Sequence, residues 1–188
     1  MSGFPAFLLE GYKSFMAQRF APEQSRYKSL ADKGQQPTTM IIACCDSRAA
    51  PETIFDAGPG ERDDFRAALS YVAERFPDLP IWAGGMSFGS WIGLTVGAAD
   101  PRVSLLLGVA MPVNNYDYAA VRDSDKPKFF IHGEFDEICS IHDVRAFYAQ
   151  ANEPKELIVI EASDHLFDGK VSQVGDAVED LLSDWPED

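Results

Sequence analysis

Basic residues are scarce in this sequence. Sixteen Lys and Arg stand against 30 Asp and Glu, a formal net charge of −14. So acidic a surface repels nucleic acid and anionic membranes, and neither is expected as a partner. Cysteine is scarcer. Cys44, Cys45 and Cys139 are odd in number and two are adjacent, which argues against a disulfide framework. No apolar run is long enough to cross a bilayer, and no basic stretch leads into an apolar core as a secretory leader does. The reading is a soluble, reduced, cytoplasmic protein. Core-forming residues are plentiful: 46% of the 188 residues are hydrophobic and 12% aromatic, enough for a single domain, residues 1–188, with a real core.

The charge is uneven. Residues 1–60 carry six Lys/Arg and six Asp/Glu, whereas residues 61–188 carry ten and twenty-four. A shift this abrupt suggests two sequence origins.

Hydrophobic periodicity predicts a helix over Pro5–Phe20 and a second, shorter one over Glu23–Ala31. Thr38–Ala43 reads as a strand buried on both faces. Asp63–Phe76 is an amphipathic helix with Phe65, Leu69, Val72 and Phe76 on one side. Apolar runs at Leu79–Ala83, Val103–Val109, Lys128–His132 and Leu157–Ile160 supply four more strands. Helices follow from Ser87 to about Ala99, and from Ser140, with Asp143 at a capping-box spacing. Val171, Val174, Val178, Leu181 and Trp185 mark the last helix, and Met111–Ala120 is read as a loop. Strands alternating with helices imply an α/β fold with about five parallel strands and helices on both faces, preceded by an N-terminal helical arm.

The chemistry centres on Leu79–Trp91. Here a short apolar strand runs into Gly85–Met86–Ser87–Phe88–Gly89 and then into a helix. G-x-S-x-G between strand and helix is a nucleophile elbow, in which a strained turn lifts the serine Oγ out of the sheet. A side chain at Gly85 or Gly89 would collide with its neighbours. The N–H of Phe88 opens the helix and is placed to stabilise an oxyanion. Asp136 and His165 also follow predicted strands, where parallel sheets carry their active sites. Position alone leaves Glu134, Glu137 and Asp164 as rivals for the acid, although Asp164 adjoins His165 and neighbours at a strand end point apart. His132 reads as structural and His142 as solvated. Tyr116 and Tyr118, on the loop after Val109, are candidates for the substrate pocket.

Two resemblances sharpen this. Leu8–Leu9–Glu10–Gly11–Tyr12, Met40–Ile41–Ile42–Ala43–Cys44–Cys45–Asp46–Ser47–Arg48 and Ile54–Phe55–Asp56–Ala57–Gly58 make residues 1–61 resemble the N-terminus of β-carbonic anhydrases. That family's motif is C-S-D-S-R, with a zinc-binding cysteine and a gating Asp–Arg pair. Cys44, Asp46 and Arg48 fall at those places, and Cys45 replaces the serine. The family's second zinc motif, H-x-x-C, has no counterpart. One thiolate does not make a zinc site, so no metal and no cofactor is expected.

Residues 58–188, and most closely Glu61 to Leu182, resemble small lidless α/β-hydrolases of the carboxylesterase or dienelactone-hydrolase type. Gly85–Met86–Ser87–Phe88–Gly89, Ile131–His132–Gly133–Glu134–Phe135–Asp136–Glu137 and Asp164–His165 carry the likeness. It implies Ser87 as nucleophile, Asp136 as acid and His165 as base, in that family's chain order. The front of such a hydrolase, with the loop that donates a second oxyanion N–H, is missing.

The reading is therefore a chimera, residues 1–60 carbonic-anhydrase-like and 61–188 catalytic. It is a serine hydrolase of small carboxylic esters acting through an acyl-enzyme. If Thr38–Ala43 pairs directly with Leu79–Ala83, the N–H of Cys45 becomes a candidate for the second donor. Rival readings are a weak or inactive interaction protein and a zinc carbonic anhydrase. An open sheet edge and an apolar first helix predict a homodimer.

Overall fold

The computed structural model describes residues 40–44 and 59–184. All of them belong to one compact unit, residues 38–188. The helices expected over Pro5–Ala31 lie outside the described residues, as do Cys45, Asp46 and Arg48.

Five parallel strands are present in chain order: β1 (Met40–Cys44), β2 (Ile81–Met86), β3 (Val103–Val109), β4 (Lys128–Gly133) and β5 (Lys155–Ile160). They lie side by side in that same order, so each crossover steps the sheet one strand further in one direction. The connecting helices are α1 (Pro59–Arg75), α2 (Phe88–Ala99), the short α3 (Ala119–Arg122) and α4 (Ile141–Gln150), with α5 (Val171–Asp184) last. β1 pairs directly with β2, Met40 opposite Ile81 and Cys44 opposite Gly85.

The alternation of side chains along each strand divides the core into two layers. Ile81, Ala83, Leu106 and Phe130 face one layer with Phe65, Leu69 and Val72 of α1 and Ile92 and Val96 of α2. Trp82, Leu105, Leu107, Phe129, Ile131 and Ile160 face the other, closed by Ala177 and Leu181 of α5. Being covered on both sides explains why β2 to β4 read as continuous apolar runs.

Some boundaries differ from the sequence expectation. α1 begins four residues early, at Pro59, since proline fits a helix's first turn, where its missing N–H has no partner to lose. β5 begins two residues early, at Lys155, paired with Lys128. The supposed loop Met111–Ala120 runs into α3, where the Asp117 Oδ1 accepts the Ala119 N–H at 2.8 Å in an Asx turn just before the helix. On α5, Val171 is 59% exposed and Ala177 takes an inward place instead. The Ser140 cap stands as expected, its Oγ accepting the Asp143 N–H at 3.3 Å. No described helix is long and apolar enough to cross a membrane.

Candidate active site

Ser87 sits between β2 and α2 at φ 52°, ψ −128°. For a residue with a Cβ this is strained backbone, costing on the order of 1–3 kcal/mol. Three features hold it. The Ser87 N–H donates to Val109 O on the neighbouring strand at 2.9 Å. The Ser90 Oγ donates to Ser87 O at 2.6 Å, and Tyr118 OH lies 2.6 Å from the same Ser90 Oγ. Since the Ser90 proton points to Ser87 O, the phenol is the donor in the second bond. Gly85 is the third feature: a Cβ there would overlap the carbonyl of Gly89, so only glycine lets the helix fold back this closely.

His165 arrives from the loop after β5. The His165 Nε2 is 2.9 Å from Ser87 Oγ, and its Nδ1 is 2.8 Å from Asp136 Oδ2. Asp136 Oδ1 accepts the N–H groups of Ile138 at 2.8 Å and Cys139 at 3.0 Å. Asp136 and His165 are each 6% exposed. Burial works to raise the Asp136 carboxyl, but the His165 ring and the two backbone N–H groups outweigh it and hold the group below the usual aspartate range. Ser87, Asp136 and His165, 78 residues apart at the extremes, thus form one hydrogen-bonded line.

The acid's rivals have other tasks. Glu134 Oε2 accepts the Ala162 N–H at 2.8 Å, and Glu137 Oε2 accepts the His165 N–H at 3.2 Å. Asp164 Oδ1 takes the N–H groups of Leu166 and Asp168. These carboxylates brace the histidine loop, which carries positive φ at Ala162 and Phe167. Gly133 completes the fit, because a Cβ there would stand 2.5 Å from Asp164 O. Within Gly133–Glu137, then, glycine admits the loop, two glutamates pin its backbone and the aspartate holds its imidazole. The signal was in plain view, a run of acids after a strand end, but residue type alone did not assign each to its partner.

His132, 1% exposed, brings its Nε2 to 2.8 Å from Cys139 O. Burial pushes its pKa down, so it stays neutral. His142 is exposed on α4. The Cys139 thiol is buried, and burial pushes its pKa up, away from the reactive thiolate. Among the described residues no group of three His, Cys, Asp or Glu could hold a metal ion.

Phe88 opens α2, and the first N–H groups of a helix have no intrahelical acceptor. Tyr116 stacks on Trp91, ring centroids 4.6 Å apart, and meets Phe88 edge-on at 5.7 Å. Tyr116 and the buried Tyr118 both line a cleft of about 330 Å³ with Val113, Asp143 and Phe147. A larger cavity of about 410 Å³, bounded by Leu105, Lys128 and Lys155, opens at the strands' N-terminal ends, away from Ser87. Cys45 lies outside the described residues, but the strand leading to it ends level with Gly85.

No protein-family model matches the chain. The uncharacterized protein RP471 of Rickettsia prowazekii is 28% identical over 165 residues, 83% of this chain and 68% of that protein. That share is larger than residues 62–188 alone supply, so the likeness extends ahead of Glu61. Carbonic anhydrase 2 of Mycobacterium tuberculosis is 43% identical over 63 residues, 32% of this chain and 30% of the enzyme. Among solved structures, an α/β serine hydrolase homologue from Coxiella burnetii has a TM-score of 0.63 and 30% identity, covering 68% of this chain and 61% of that one. A serine hydrolase without lid from Xanthomonas campestris has a TM-score of 0.64 and 27% identity, covering 71% and 61%. The fold is a reduced α/β-hydrolase fold, and the chain spans about three-fifths of the length of those two hydrolases.

Proposed function

We propose that this chain is a serine hydrolase of small carboxylic esters. The observation that carries the reading is the line Asp136–His165–Ser87, with links of 2.8 and 2.9 Å. The His165 Nε2 takes the proton from Ser87 Oγ as that oxygen attacks the ester carbonyl. The imidazolium so formed is stabilised by Asp136, which also fixes Nδ1–H as the ring's other donor. The tetrahedral intermediate collapses, His165 returns the proton to the departing alkoxide, and an acyl-serine remains. Water then attacks the acyl group, giving its proton to His165, and the carboxylic acid and free Ser87 are released.

The negative oxygen of both intermediates is assigned to the Phe88 N–H and to the N–H of Cys45. Direct β1–β2 pairing supports the second assignment, since the chain leaves β1 at the sheet edge where Ser87 stands. Tyr116 is assigned to the acyl side of the site through its ring contacts with Phe88 and Trp91 of the elbow helix, whereas the cleft it lines with Tyr118 includes none of Ser87, Asp136 and His165. No cofactor enters the scheme. The likeness of residues 1–61 to carbonic anhydrases supports a composite origin, with the anhydrase-type strand serving as a hydrolase strand and its Cys44 binding no metal.

The test is hydrolysis of a chromogenic acetate ester at enzyme concentrations high enough to see the first turnover. A burst equal to the enzyme present, followed by slower steady release, is the expected result. Absence of both burst and turnover contradicts the reading.

A further inference from the structure

We propose that His132 is a positioning residue for the acid of the triad: its Nε2–H, bound to the carbonyl of Cys139, ties the turn carrying Asp136 to strand β4. The inference deepens the serine-hydrolase reading and rests on it for its kinetic consequences.

The second half of the turn after β4, from Asp136 to Cys139, folds back on itself through its backbone N–H groups. The Asp136 N–H reaches Gly133 O at 3.3 Å, and the N–H groups of Ile138 and Cys139 fold back onto Asp136 Oδ1. The turn's first residues are also tied to β5 and the loop beyond it, the Glu134 N–H donating to Ile160 O at 3.0 Å and the Phe135 N–H to Ser163 O at 2.8 Å, so what is left to anchor is the Ile138–Cys139 end. Past Asp136, two described side chains reach it from outside. Asn114 Nδ2 donates to Ile138 O at 3.1 Å from an exposed loop, and His132 donates to Cys139 O at 2.8 Å from inside the sheet. Cys139 is the meeting point, its N–H on Asp136 and its carbonyl on His132.

A carbonyl oxygen only accepts, so Nε2 carries the His132 proton. Nδ1 is then a bare acceptor, buried and without a partner among the described residues. An apolar side chain would avoid that cost, so the imidazole needs an offsetting use. The same Nε2–H stands 3.5 Å from Asp136 Oδ2, the oxygen that faces His165. That is beyond a hydrogen bond, but it keeps the imidazole edge beside the carboxylate that binds His165. Asp136, His165 and the Cys139 backbone are the polar groups facing the ring. A cation there would place a second N–H with no acceptor, so His132 stays neutral, with its single proton on Nε2.

The experiment compares His132→Met, which fills the space without a donor, with His132→Gln, whose amide nitrogen reaches as far as Nε2. Expected for His132→Met is a fall in kcat of at least about tenfold with KM within about twofold, and no further fall when it is added to Asp136→Ala. Expected for His132→Gln is kcat within about threefold of the parent chain, the donor being restored. A readout independent of turnover is the downfield proton resonance of the His165 Nδ1–H bound to Asp136. It persists in His132→Gln and is lost or displaced in His132→Met. If His132→Met does not fold, His132→Asn, whose amide falls short of the carbonyl, takes its place with the same expected loss. The proposal is overturned by a folded His132→Met with parental kcat and an undisturbed resonance. An equal loss in His132→Gln, or an equal loss on the Asp136→Ala background, overturns it too. A parent chain that turns over no ester but shows the expected resonance pattern supports the positioning role and contradicts the hydrolase reading alone.

Discussion

Glu137 accepts the backbone N–H of His165 at 3.2 Å, so the acidic turn after β4 grips the His165 loop by its main chain as well as by its imidazole. Glu134 makes the matching contact with Ala162. Glu137→Ala leaves the triad side chains present but frees the residue that carries the base. The expected result is a kcat lower by about tenfold, as small misplacements of reacting groups produce, with the melting temperature nearly unchanged because Glu137 is exposed. Steady-state kinetics beside a thermal melt check both halves.

Gly133→Ala acts on the same junction from the other side. The added methyl would stand 2.5 Å from Asp164 O and 2.7 Å from Ser163 O, both backbone atoms that move only with their loop. The expected cost is about 1–3 kcal/mol, the range for overpacking a close-fitted site, read as a lower urea midpoint. Activity falls further than stability, since the displaced segment carries His165.

Acid sensitivity has two parts with worked signs. Burial holds the His132 pKa below its ordinary value. The unfolded chain then takes up a proton more readily than the folded one. This contribution is nil above about pH 6.5, and stability is lost as pH falls from there through the folded pKa, with a slope of at most about 1.4 kcal/mol per pH unit. Asp136 is also held low, by His165 and two N–H groups against opposing burial. Its contribution is full above about pH 3.9 and is lost as pH falls through the folded value. Urea midpoints of the parent and of His132→Gln between pH 7 and pH 5 separate the two, and the variant shows the shallower slope.

Phe135, Ile138 and Leu166 are 65%, 45% and 60% exposed, and they flank Asp136 and His165 in sequence. If the proposed ester hydrolysis holds, these exposed apolar side chains beside Asp136 and His165 are expected to meet the apolar part of the substrate. Leu166→Ser is expected to reduce the preference for butyrate over acetate, by up to about fourfold per methylene no longer covered, while acetate turnover changes little. Comparing kcat/KM for the two chromogenic esters measures it.

Much of this site was readable from the chain itself. The apolar runs at Ile81, Val103 and Lys128 stand out because both of their faces are covered, and Gly85–Gly89 marks the turn between strand and helix. Asp136 needed the family likeness, since Glu134, Glu137 and Asp164 share its chemistry and its neighbourhood. What separates them is side-chain direction in loops where Ala162 and Phe167 take positive φ, and no periodicity encodes that. The inward turn of Ala177 and the exposure of Val171 were missed for a related reason. Hydrophobicity ranks valine above alanine, but Val171 at the start of α5 is exposed while Ala177 turns inward. The paired role of His132 and Cys139 lies in a buried hydrogen bond between a side chain and a carbonyl seven residues away, a link that sequence leaves unmarked.

The central claim is that Ser87 is the nucleophile, and intact-mass analysis after treatment with a fluorophosphonate tests it most directly. The account predicts one adduct per chain, located on Ser87 by peptide mapping, absent in Ser87→Ala and formed far more slowly in His165→Ala. An adduct that persists in Ser87→Ala, or a parent chain that stays unmodified under conditions that label an active serine esterase, would contradict it.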